Sequence, residues 1–135
     1  MSLMSERPLV LLVEDDRDGR LMVATWLEGA GFRVEQAHNG LQALERAFDL
    51  RPDAILTELH IPGIDGYELT RRLKTDPRTS DTPIVAVTGY LPFARDPSRA
   101  DRAGCDAILL KPYDPYEISR TLSLLITEAR GRRSA

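Results

Sequence analysis

Between Leu9 and Arg130, short apolar runs alternate with longer segments in which apolar residues recur at helical spacing. The runs are Leu9–Val13, Phe32–Gln36, Ala54–Glu58, Ile84–Val87 and Ala107–Leu110. Three of them are continuous, the pattern of strands covered on both faces and therefore of a parallel sheet. The segments between them read as helices. Val23, Trp26, Leu27 and Ala30 fall at i, i+3, i+4 and i+7, and Gly31 supplies a stop. Leu44, Ala47 and Phe48 form a second stripe behind Asn39 as a cap. A third helix is predicted to open at Asp65, with Glu68 in capping-box position and Leu69 and Leu73 one turn apart. In the last, Asp114 precedes a proline at the first helical position, Glu117 follows, and Ile118, Leu122, Leu125, Ile126 and Ala129 form one stripe. Pro92 and Pro97 permit at most a short helix within Phe93–Ala103.

Strands joined by right-handed helical crossovers run parallel, so their carboxyl ends share one edge, where open sheets of this kind bind ligands. The polar residues at those ends are Glu14 and Asp15 after the first run, Glu58 ending the third, Thr88 after the fourth and Lys111 after the fifth. Three carboxylates, a hydroxyl and an ammonium make a hard, oxygen-rich site, better suited to Mg2+ with retained waters than to zinc or copper.

A chain of 135 residues has room for one core. A formal net charge of -3 and a pI near 5.4 argue against nucleic acid or an anionic membrane as partner, since both demand a cationic face. Arg130, Arg132 and Arg133 read as a solvated tail, which puts the domain at 9–130 between tails at 1–8 and 131–135. Met4, a second methionine, marks Met1 to Leu3 as an added remnant. Cys105 is the sole cysteine, so no intramolecular disulfide or cysteine zinc site can form, which fits a cytoplasmic address. No apolar run approaches the roughly 20 residues that span a bilayer, and Met1 to Pro8 lacks the apolar stretch of a secretion signal.

The same strand ends carry a family resemblance. Leu11-Leu12-Val13-Glu14-Asp15-Asp16, Ile55 through Gly66, Val85-Ala86-Val87-Thr88-Gly89 and Leu109-Leu110-Lys111-Pro112 resemble the successive motifs of response-regulator receiver domains, from about Leu9 to Arg130. The resemblance implies a flavodoxin-like (βα)5 fold with strand order 2-1-3-4-5 and helices on both faces. It also implies a non-enzymatic role in two-component phosphorelay signalling. A histidine kinase or a downstream output protein would be the partner, met through the fourth helix, fifth strand and fifth helix, and a homodimer is compatible with it. Carried across, Glu14 and Asp15 match the Mg2+-binding acid pair, Thr88 the hydroxyl that contacts phosphate and Lys111 the phosphate-binding lysine. The backbone carbonyl of His60 matches the remaining metal ligand.

Only the nucleophile departs: Glu58 stands where the family has the aspartate that takes the phosphoryl group. Asp53 lies at the opposite edge of the strand, and Thr57 faces the other side of the sheet, so no slipped alignment supplies an aspartate. The expectation is an atypical receiver in which Glu58, counted with Glu14, Asp15 and the His60 carbonyl as a metal ligand, pairs with Lys111 or accepts from Thr88. Thr88 and Lys111 stay open between a ligand role and a structural one, and Glu14 and Asp15 between metal binding and capping, while Asp16 reads as the cap of the first helix. The family's aromatic relay position holds Ile108, with Tyr90 and Tyr113 as nearby substitutes. His38 and His60 are expected to face solvent and Cys105 to pack. A receiver that still accepts phosphate is the nearest alternative. A haloacid-dehalogenase-like phosphatase, suggested by Asp16-Arg17-Asp18-Gly19, is remote because Asp16 does not stand at the strand end itself. A flavin site is more remote still, since no phosphate-cradling loop follows the first strand.

Overall fold

In a computed structural model, which describes residues 7–89, 96, 98–112 and 114–134, the apolar runs are strands and the stripes between them helices. The order is β1 (Leu9–Val13), α1 (Arg17–Gly29), β2 (Arg33–Ala37), α2 (Gly40–Leu50), β3 (Ala54–Glu58), α3 (Gly66–Thr75), β4 (Ile84–Thr88), α4 (Ser98–Ala103), β5 (Ala107–Leu110) and α5 (Pro115–Ser134). All four strand pairings are parallel, and the sheet runs β2-β1-β3-β4-β5.

Alternation along each strand sorts the core into two layers. Val10, Leu12, Ala54, Leu56, Val85 and Val87 pack with Val23 and Leu27 of α1 and Ile118, Leu122 and Ile126 of α5. Leu11, Val13, Ile55 and Ile84 meet Ala43 and Ala47 of α2 and Leu69 and Leu73 of α3 on the other face. A smaller cluster of Leu59, Ala86, Ala100 and Cys105, with Tyr67 and Ile108 against it, seats α4. Each fully buried leucine or isoleucine contributes about 1.5–3 kcal/mol, so the two layers hold the sheet between its helices.

The capping residues perform as their positions predict. Asp16 accepts from the Gly19 N–H at 2.9 Å, Asn39 from Gln42 at 2.8 Å, Asp65 from Glu68 at 2.9 Å and Asp114 from Tyr116 at 3.0 Å. The Glu68 carboxylate does not complete the expected capping box; it is taken up instead by Arg71 and Arg72, which hold its pKa at about 2.

Several boundaries differ from expectation, with β2 running on to Ala37 and β4 taking in Thr88. Phe32 closes α1 instead of opening β2: with Gly31 at φ 102°, the Phe32 N–H turns back to the Leu27 carbonyl at 3.1 Å. The expected C-terminal tail is helical, because α5 continues through Gly131 to Ser134. One glycine costs a helix only about 1 kcal/mol, and Arg132 and Arg133 suit the negative end of its dipole. Pro8 is tethered, its carbonyl accepting from Arg33 N–H at 2.8 Å. Met1 to Leu3, Tyr90 and Tyr113 lie outside the described residues.

At the amino edge of the sheet, Asp53 accepts from Leu9 N–H at 2.8 Å and lies 3.4 Å from Arg130 of α5. Asp53 is therefore a structural clasp remote from the strands' carboxyl ends. At the other edge, the turn into α3 presses against β3. The Gly66 N–H donates to the Leu59 carbonyl at 2.9 Å, and a Cβ on Gly66 would stand 2.6 Å from the Glu58 carbonyl oxygen and 2.7 Å from Leu59 Cα. Backbone cannot yield as a flexible side chain does. Gly66→Ala is accordingly expected to destabilise the fold by about 1–3 kcal/mol in urea unfolding; an unchanged midpoint would show that the turn can relax.

Candidate functional site

The parallel direction of the strands brings the sequence-predicted residues to one edge. A cleft there is lined by Glu14, Asp15, Asp16, Glu58, His60, Gly89 and Lys111. Glu58 is its most enclosed acid, 7% exposed at the end of β3. Its Oε1 receives the His60 N–H at 3.3 Å, and its Oε2 lies 2.9 Å from Lys111 Nζ. That second contact is close but is an ion pair without hydrogen-bond alignment on Oε2. The same ammonium reaches Glu14 Oε1 at 3.3 Å. Thr88 is fully buried at the end of β4 and does not line the cleft; its carbonyl accepts from Lys111 N–H at 2.9 Å.

Burial alone would lower the Lys111 pKa, but contact with Glu58 and the charges of Glu58 and Glu14 outweigh it and raise the ammonium above its ordinary 10.5. Glu14 is also raised, first by burial and then by Asp15 and Glu58, with Lys111 opposing. Asp16 is committed to its cap, so the carboxylate on which a dehalogenase-like reading depended serves α1. His38 and His60 are exposed, and Cys105 is buried beside Thr70 with its thiol pKa raised by that burial.

Arg20 lay outside the sequence reading, and Gly89 entered it only as part of a motif. Arg20 donates to the Glu14 carbonyl at 2.9 Å and to the Gln36 side chain at 3.1 Å, fixing the backbone from which Glu14 projects. Its place one turn into α1 was the available signal. Gly89 lets the lysine stem pass, since a Cβ there would stand 3.2 Å from Lys111 Cβ.

The sequence matches the response regulator receiver domain over residues 10–123. This chain belongs to that family. The receiver is 35% identical over 119 residues to the DNA-binding dual master transcriptional regulator RpaA of Synechocystis sp., a match covering 87% of this chain and 49% of RpaA. The chain thus spans about half the length of that relative. It is 31% identical over 120 residues to the polar-differentiation response regulator DivK of Brucella anthropi, covering 89% of this chain and 97% of DivK. Among solved structures it resembles the receiver domain of sensor histidine kinase PA1611 from Pseudomonas aeruginosa, with TM-score 0.81 and 32% identity over 90% of this chain and 98% of that one. That structure has a magnesium ion coordinated in its active-site cleft. Receivers are modules of two-component signalling that interact with histidine kinases and output domains. Among the described residues of this receiver, no helix is long and apolar enough to cross a membrane.

A lysine whose folded-state pKa is raised contributes stability that is fully present below its unfolded value, 10.5, and is lost as pH rises through the folded one. Lys111→Met is therefore expected to lower the urea midpoint at neutral pH. As the pH is raised from neutral, the gap to wild type should shrink only above 10.5; a gap that closed between neutral pH and 10.5 would assign the stabilisation to another group.

Proposed function

We propose that this chain is a pseudo-receiver: it acts in two-component signalling through protein contacts and does not take a phosphoryl group on Glu58. The observation that carries the reading is the enclosed Glu58 carboxylate held 2.9 Å from Lys111. Phosphoryl transfer to a receiver depends almost wholly on positioning an acceptor oxygen in line with phosphorus. One extra methylene displaces that oxygen by up to about 1.5 Å, and misplacement of about 1 Å can cost on the order of 100-fold.

In this assignment Glu58 holds the phospho-acceptor place, and Thr88 and Lys111 hold the places that contact phosphate. Glu14, Asp15, Glu58 and the His60 carbonyl form the metal side. Their chemistry suits Mg2+, but as the side chains stand they do not fit it. Lys111 is already shared by Glu14 and Glu58, and among the described residues no three His, Cys, Asp or Glu side chains gather to hold a metal. No step is routed through one.

The Glu58 carboxylate supplies one negative charge and two oxygens where a phosphoryl group supplies nearly two charges and three, so it mimics activation only in part. Ile108 packs with the Ala86 and Ala100 cluster, so an aliphatic side chain fills the family's relay position. The output surface is the face of α4, β5 and α5, where Leu110, Tyr116 and Leu124 are exposed. A cytoplasmic histidine kinase or output protein would bind there, and the same patch would serve a homodimer. The domain is a binding module without turnover of its own.

With acetyl phosphate and Mg2+, intact-mass spectrometry should detect no added phosphoryl group on the wild-type chain. Glu58→Asp, which withdraws the carboxylate by about 1.5 Å, should gain one. Stoichiometric labelling of wild type at Glu58 would sink the proposal.

A further inference from the structure

We infer that this site carries its own cation: Lys111 occupies the electrostatic place of a divalent ion, and the cleft is closed to Mg2+. The inference rests on the pseudo-receiver reading in taking Glu58 as the acceptor position, but its binding claim stands on geometry alone. Lys111 Nζ lies 2.9 Å from Glu58 Oε2 and 3.3 Å from Glu14 Oε1, with only 9% and 13% of those two side chains exposed. Two largely buried carboxylates thus share one ammonium.

Mg2+ demands oxygen ligands at about 2.0–2.1 Å in near-octahedral array and gives up its waters reluctantly. An ion on Glu58 Oε2 would therefore stand within about 5 Å of the ammonium, and like charges that close in a shielded cleft repel strongly. The backbone and the base of the stem of the lysine are anchored. Its N–H is held by the Thr88 carbonyl at 2.9 Å, and its stem lies against Gly89, where an added Cβ would stand 3.2 Å from Lys111 Cβ. The extra methylene of Glu58 closes the arrangement, carrying its carboxylate onto the lysine.

The test is calorimetric titration of the full chain with MgCl2, comparing wild type with Lys111→Met. The inference expects no saturable heat from wild type at millimolar Mg2+ and binding at least about tenfold tighter in Lys111→Met, where both carboxylates are released. Wild-type saturation at an affinity that Lys111→Met leaves unchanged or weakens overturns it. Should Lys111→Met not fold, wild type decides alone: equal thermal midpoints in EDTA and in Mg2+ support the inference, and a rise with Mg2+ overturns it. A wild-type chain that binds Mg2+ yet takes no phosphoryl group from acetyl phosphate defeats this inference alone. Stoichiometric labelling of Glu58 in a chain that shows no saturable Mg2+ binding defeats the pseudo-receiver reading alone, so the two failures are told apart.

Discussion

A carboxylate taken out of water needs a counter-charge, and the top of this sheet is arranged around meeting that need for Glu58. The strand order sets the difficulty. Lys111 follows β5, which pairs with β4, whereas Glu58 ends β3, one strand further in, and Glu14 follows β1 beyond that. The lysine must therefore cross the end of β4 to reach either acid. It can do so because Gly89, the first residue past β4, offers no side chain to block its stem. Arg20 fixes the Glu14 backbone from the far side, and the His60 N–H takes the second oxygen of Glu58. Topology, one glycine and one long side chain together produce the electrostatics.

Much of this was legible from residue order. Short, mostly continuous apolar runs and period-3.6 stripes separated strands from helices because the layers of a doubly covered sheet leave little freedom about which residues are buried. Asp16, Asn39, Asp65 and Asp114 announced helix starts because a short polar side chain is the local solution to unpaired N–H groups. Boundaries were less legible where two local solutions compete. Phe32 could extend β2 or close α1, and the positive φ of Gly31 decided for the helix. The arginines past Ala129 could be solvated coil or a last helical turn, and both states leave them exposed.

The site was legible in its members and in the Glu58–Lys111 pair, but not in the sharing of that lysine with Glu14. Strand ends named Glu14, Glu58, Thr88 and Lys111, since a parallel sheet delivers its carboxyl ends together whatever the side chains. That one ammonium would serve two acids, while Thr88 stayed buried outside the cleft, depends on side-chain reach and on Gly89. Those are three-dimensional facts with no one-dimensional period.

The close seat of Gly66 on the end of β3 has a mechanical consequence. With no side chain between them, the backbone carrying Glu58 and the first turn of α3 are in direct contact and joined by the Gly66 N–H to Leu59 carbonyl bond. Such a joint has almost no slack. A displacement that began at the Glu58 carboxylate would be handed to α3 as a movement of the whole helix, whose far end is tied by Lys74 to Asp106 at the foot of β5. The helix is thus a stiff rod pinned at both ends, and the strand that holds the acid is one of its pins.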